Sequence, residues 1–350
     1  MAIIQMEDSS NSNAADPTCA AEWFRRRACR SPERPALTFE GKTWTYGKMQ
    51  RRIERMSGVL AKGGIGVGDR VAYIGLNHSE VLVTFFAAAH VGAIFVPLNF
   101  RLAVPELISI IVDSKPHTLI ADEHHAPILD RSRDCLPCQR YLCVGSPGIT
   151  GWEAIIKSVA EEPTIPTPTA VRPDDAVLLL YTSGTTGRPK GVKISNGNIW
   201  ASNVATILAN EFNSHDVALN SAPLFHAAGL CSISLPTLMV GGHLILQRGF
   251  DAREYLRALK QHSVTVSIMV PAMMSFVSQQ EDFESVDLSA LRLLGTGGAP
   301  VPAPLLRSYG ARGIPVSQSY GLTESTSATT FLQTEYSLAK LGSCGRAGLM

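Results

Sequence analysis

Apolar and polar residues fall along this chain in blocks that read alternately as helix and strand. From Trp44 to Lys62 the apolar positions recur at roughly helical spacing among basic ones, and Gly63-Gly64 supplies a stop. Arg70 to Leu76 (RVAYIGL) reads as a strand, His78 to His90 (HSEVLVTFFAAAH) as a buried helix, and Ala93 to Pro97 (AIFVP) as another short strand. The alternation resumes later. Arg253 to His262 is helical, Val264 to Val270 a strand, and Pro271 to Gln280 a helix opened by its proline. Leu291 to Leu294 and Ile314 to Ser317 are further strands. Helices alternating with apolar strands predict an α/β fold with largely parallel sheets covered on both faces.

Between Glu161 and Pro173 the sequence EEPTIPTPTAVRP holds four prolines, which make a connector and not an element. It divides the 350 residues into a loose polar tail (1–20), a first αβ subdomain (21–170) and a second (171–350). No internal repeat or low-complexity tract interrupts this plan.

Composition narrows the function classes. Hydrophobic residues at 45% and charged residues at 17% describe a chain that folds around large cores. A balance of 31 basic and 30 acidic residues disfavours a basic nucleic-acid binder. No apolar run reaches the roughly 18 residues of a membrane-spanning helix. The opening MAIIQMEDSS has too short an apolar patch for a secretory leader. Seven widely spaced cysteines read as reduced thiols of a cytoplasmic protein, with a peroxisomal address as the alternative. Cys135, Cys138 and Cys143 lack the second C-x-x-C or His pair of a zinc site.

The densest chemistry lies at Tyr181-Thr182-Ser183-Gly184-Thr185-Thr186-Gly187-Arg188-Pro189-Lys190-Gly191. Four aliphatic hydroxyls, three glycines and two cations share eleven residues. Glycines let backbone N–H groups turn toward an anion, and hydroxyls add donors. The segment lacks the G-x-x-x-x-G-K-[ST] of a P-loop and runs into VKIS, a strand, so no helix dipole need assist it.

LLYTSGTTGRPKGV resembles the phosphate-loop signature of the adenylate-forming superfamily, which includes acyl-CoA synthetases and 4-coumarate–CoA ligases. Gly295-Thr296-Gly297-Gly298-Ala299-Pro300 resembles that family's adenine-contact turn, and Gln318-Ser319-Tyr320-Gly321-Leu322-Thr323-Glu324 its Y-G-x-T-E motif. The resemblance covers roughly residues 20–350. It implies a nucleotide site formed by Thr182, Ser183, Gly184, Thr185, Thr186, Gly187 and Lys190 for phosphates. Gly297, Gly298, Ala299, Tyr320 and Gly321 would serve adenine. Thr323 would serve the α-phosphate and Glu324 a Mg²⁺ ion, a hard cation that prefers oxygen. Pro223-Leu224-Phe225-His226-Ala227-Ala228-Gly229 resembles the P-L-F-H-x-x-G segment of acid–CoA ligases, putting His226 beside the attacking carboxylate. Amino-acid-activating relatives commonly place an aspartate in this segment, so a simple carboxylic acid is favoured. Met269, Val270, Met273, Met274 and Phe276 suit either an apolar pocket or a plain helix core.

The implied activity is ATP-dependent conversion of a fatty or aryl acid to acyl-AMP and then acyl-CoA. Catalytic weight would rest on Lys190, Thr323, Glu324 and His226. The alternatives are a non-catalytic nucleotide-binding remnant and an adenylating enzyme that loads a carrier-protein thiol. Two departures stand out. Ser195-Asn196-Gly197-Asn198 lies where many relatives have a histidine. The chain stops at GSCGRAGLM, resembling a G-S-x-G segment that continues in relatives into a C-terminal lid domain with a catalytic lysine. The expectation is a chain without that lid, binding ATP weakly and turning over poorly.

Overall fold

The computed structural model describes residues 15–146, 148–165, 167–182 and 189–349. The first 14 residues of the expected tail and residues 183–188 of the glycine-rich loop lie outside it. Among the described residues sixteen strands form two sheets. In chain order they are β1 (Pro35–Phe39), β2 (Lys42–Thr45), β3 (Arg70–Ile74), β4 (Ile94–Leu98), β5 (Thr118–Asp122), β6 (Arg140–Val144), β7 (Glu153–Ala154), β8 (Ala176–Thr182) and β9 (Lys190–Ser195). There follow β10 (Val217–Asn220), β11 (His243–Leu246), β12 (Val266–Met269), β13 (Leu293–Thr296), β14 (Val316–Gly321), β15 (Ala328–Leu332) and β16 (Arg346–Ala347).

One sheet has the order β7-β6-β5-β3-β4-β8-β9, the other β16-β15-β14-β13-β12-β10-β11-β1-β2. Both are parallel through their centres and antiparallel only at β9, β2, β15 and β16. The expected α/β fold with largely parallel sheets is therefore present. Sheet membership does not follow the division near residue 170. β8 and β9, beyond the proline-rich connector, complete the first sheet, while β1 and β2 belong to the second. The physical reason is pairing: β1 lies parallel to β11, with Leu37 opposite Leu244.

Helices pack between the sheets. In Ser79–His90 every residue is buried, the polar Ser79, Glu80, Thr84 and His90 included, with Glu80 paired to Arg52. Its Phe86 meets Phe24 of the helix Ala20–Arg30 at 4.4 Å between ring centroids, and Trp23 edge-on at 5.3 Å. The helix expected from Trp44 begins at Tyr46, because Thr45 caps it by accepting the Lys48 N–H. The strands expected at Leu291–Leu294 and Ile314–Ser317 run further, to Thr296 and Gly321. They carry the beginnings of two motifs side by side, Thr296 opposite Gln318. The departure at Ser195–Asn198 has a structural use. Ser195 and Asn198 cap the helix Asn196–Asn210 reciprocally, and buried Asn196 accepts the N–H of Ala20 at 2.9 Å.

Candidate active site

A cavity of about 790 Å³ opens where strands of both sheets end. Its wall follows one rule: nearly every contributing segment lies at or just past the carboxyl end of a strand. Asn77 follows β3, Phe100 and Arg101 follow β4, and Thr182 ends β8. Ser221 to Ala228 follow β10, Arg248 to Phe250 follow β11, and Gly297-Gly298 follow β13. Strand ends of this kind are where open α/β sheets bind ligands, since loops there diverge and leave a crevice.

The cavity gathers seven of the residues singled out in the sequence: Thr182, His226, Gly297, Gly298, Gly321, Thr323 and Glu324. Lys190, exposed, is the register partner of Thr182 across the β8–β9 hairpin, and β9 packs against the Thr323–Ser325 turn. Ser183, Gly184, Thr185, Thr186 and Gly187 lie between these two strands, outside the described residues. Tyr320 is 52% exposed, and the wall is built from its neighbours Ser319 and Gly321. Ala299 is exposed, beyond the wall. Of the five apolar candidates only Val270 and Met273 line the cavity. Met269, at the end of β12, and Met274 are buried in the core beneath, and Phe276 is exposed, because the helix Pro271–Ser278 turns Met273, Met274 and Phe276 to different sides.

Close approach explains the glycines. A Cβ on Gly229 would sit 2.4 Å from the Pro223 carbonyl oxygen, and one on Gly297 2.6 Å from that of Ser319. Gly298 takes φ +78°, a conformation that favours glycine. Two buried asparagines hold the His226 segment. Asn220 accepts the Ala222 N–H at 2.9 Å and donates to the Gly229 carbonyl at 2.9 Å. Asn77 reaches the same segment from the other sheet. Sequence reading missed both. Only long-range pairing reveals Asn77, and neither belongs to a short motif.

Electrostatics follow from the same placement. The His226 ring lies 4.3 Å from that of Phe225 between centroids, and burial of its surroundings, aided by the Arg101 cation, lowers its pKa. Its neutral form is therefore favoured. Arg248, also in the wall, donates from Nε to Glu40 at 2.7 Å. Among the described residues no group of three His, Cys, Asp or Glu side chains converges as a metal cage. A lone exposed carboxylate, Glu324, still suits Mg²⁺, which is commonly held by one or two carboxylates together with substrate phosphates. All seven cysteines are free thiols, and no helix among the described residues is long and apolar enough to cross a membrane.

Comparison with known proteins shows the family and the fold. The model of a family described as AMP-binding enzyme matches residues 24–348. A feruloyl-CoA synthase from Amycolatopsis sp. is 40% identical over 323 residues, covering 92% of this chain and 63% of the relative. An indoleacetate–CoA ligase from Aromatoleum aromaticum is 34% identical, covering 93% of this chain and 64% of the relative. The crystal structure of the N-terminal domain of FACL13 from Mycobacterium tuberculosis superposes with a TM-score of 0.86 at 32% identity, covering 94% of this chain and 82% of that one. The chain thus spans a little under two thirds of the length of these two curated relatives.

Proposed function

The chain belongs to the AMP-binding enzymes, and on that premise we propose that it serves an acid–CoA ligase activity. A carboxylate oxygen attacks the α-phosphorus of ATP, the bond from the α-phosphorus to the oxygen bridging to the β-phosphorus breaks, and pyrophosphate leaves with that oxygen. The thiolate of CoA then attacks the acyl carbonyl, and AMP leaves with its phosphate oxygen. The observation that carries the reading is the single cavity at the strand ends, which brings Thr182, His226, Gly297-Gly298, Thr323 and Glu324 together with an apolar wall of Ile268, Val270 and Met273.

The residue roles follow from chemistry. Gly297-Gly298 and Tyr320 take the adenine, the glycines through their bare backbone and Tyr320 through its ring. Lys190 and the hydroxyls from Thr182 onward hold the β- and γ-phosphates. Thr323 donates to the α-phosphate. Glu324 holds Mg²⁺, which when bound neutralises charge on the departing pyrophosphate. Neutral His226 orients the substrate carboxylate without trapping it in an ion pair. Such chemistry is driven by positioning and charge stabilisation, with no covalent enzyme intermediate. CoA is favoured over a carrier-protein thiol as acceptor by relatives named as CoA ligases or synthases.

The test is ATP–pyrophosphate exchange with a panel of fatty, aryl and amino acids. Exchange is expected with fatty or aryl acids. No exchange with any acid by this chain and by one extended with a C-terminal domain, or the strongest exchange with an amino acid, overturns the reading.

A further inference from the structure

Two separate paths of contact lead from one carboxylate behind the cavity wall to the His226 segment. Asp122 is the last residue of β5 and is not itself part of the wall. Its Oδ2 accepts the backbone N–H of Leu76 at 3.1 Å. The next residue is Asn77, whose side chain accepts the Leu224 N–H at 2.9 Å and donates to the Ala222 carbonyl at 3.0 Å. Leu224 directly precedes Phe225 and His226.

The second path is aromatic. Asp122 Oδ1 accepts the backbone N–H of His125 at 2.8 Å and its ring Nδ1–H at 2.7 Å. The accepting carboxylate puts the ring proton on Nδ1 and fixes the ring's orientation. The His125 ring meets Phe100 at 6.1 Å between centroids, Phe100 meets Phe225 edge-on at 5.2 Å, and Phe225 meets His226 at 4.3 Å. Aromatic pairs favour edge-to-face and offset contacts in this range, so each ring limits the tilt of the next. Phe100 and His226 line the cavity, with Asp122 and His125 behind them.

The carboxylate suits this task. Burial pushes its pKa up, but the hydrogen bonds from His125 and Leu76 outweigh burial and hold it below the usual aspartate value. Asp122 is therefore ionised at neutral pH, and hydrogen bonds to an ionised acceptor are shorter and stronger than neutral ones.

Resting on the reading of this cavity as the carboxylic-acid site, we infer that Asp122 is a positioning residue for His226. It touches no substrate. It fixes the backbone ahead of His226 through Leu76 and Asn77, and the rings beside it through His125, Phe100 and Phe225. Where the reacting groups must meet, a misplacement of about 1 Å can cost on the order of a hundredfold in rate.

The experiment is calorimetric titration of the chain with octanoic acid and with 3-phenylpropenoic acid, with ATP titrated separately. Asp122→Ala is expected to weaken acid binding about tenfold, the worth of roughly one hydrogen bond, and to leave ATP binding unchanged. In a His226→Ala background the same substitution is expected to change acid binding little, because the ring it positions is gone. Asp122→Asn turns one accepting oxygen into a donor, and His125→Ala removes only the aromatic path. Each is expected to lose about threefold, and melting curves establish that the variants fold. These two decide the matter if Asp122→Ala does not fold. Unchanged acid binding in the variants, an equal loss for ATP, or the same loss with and without His226 overturns the positioning role and leaves the acid site standing. Binding of neither acid by the parent chain overturns the acid site itself, and this inference with it.

Discussion

The side-chain oxygen of Asn77 accepts the backbone N–H of Leu224 at 2.9 Å, although 147 residues separate them in the chain. The same amide donates to the carbonyls of Ala222 at 3.0 Å and Gln247 at 3.1 Å. One buried side chain at the end of β3 thus fastens two segments of the other sheet, and with them the approach to His226. Replacing Asn77 with Ala leaves three backbone groups without this partner. A loss of about 2–3 kcal/mol in urea unfolding is expected. A loss below about 0.5 kcal/mol would place Asn77 outside the frame of the site.

Gly229 is constrained by distance alone. A methyl group there meets the Pro223 and Ala222 carbonyls at 2.4 and 2.8 Å, both backbone atoms that cannot swing aside. Gly229→Ala should cost about 1–3 kcal/mol and shift the His226 segment. Calorimetric melting reads the first, and acid binding the second. A variant that melts with the parent chain would show that the π-helical turn adapts.

Lys190 and Glu324 answer to different ligands. Lys190→Ala should weaken ATP by about ten- to a hundredfold and AMP far less, since AMP lacks the β- and γ-phosphates. Equal losses in calorimetry would remove Lys190 from the phosphates. Glu324→Gln keeps the size and removes the charge, so the enhancement of ATP binding by Mg²⁺ should fall while adenosine binding holds. An unaltered Mg²⁺ titration would return Glu324 to the solvent.

His90 makes stability depend on pH. Burial at 1% exposure pulls its pKa from 6.5 down to about 4, with the backbone of Ile165 and Thr167 working the other way. The unfolded chain therefore takes up this proton at a higher pH than the folded one. Stability is full above about pH 6.5 and is lost as pH falls toward 4, by about 3 kcal/mol from this group. Urea unfolding at pH 7, 5.5 and 4.5 should show the decline, and His90→Leu should flatten it. Parallel declines in parent and variant would assign the acid sensitivity elsewhere.

The sequence made short-range features legible. The strand RVAYI, the buried helix over Ser79–His90 and the connector after Glu161 stand where hydrophobic period and proline put them. So do seven cavity residues, because each belongs to a compact motif at a strand end. Pairing partners were not legible. Nothing in PALTF says that it seeks HLIL some 200 residues later, so the crossing of strands between sheets went unread. Asn77 was hidden for the same reason, since it depends on neighbours supplied by the tertiary fold.

That crossing has a consequence for assembly over time. β1 and β2 leave the ribosome early, yet their parallel partner β11 ends at Leu246. Until about two hundred further residues have been made, Leu37 and Phe39 have no sheet to join. Pairings so distant in sequence are slow to form, and an unpaired strand edge invites aggregation in the meantime. The two sheets are therefore not independent folding units. A cut at the proline-rich connector would strand β8 and β9 on one fragment and β1 and β2 on the other, each away from its own sheet. Co-expressed halves would have to exchange hairpins to become whole.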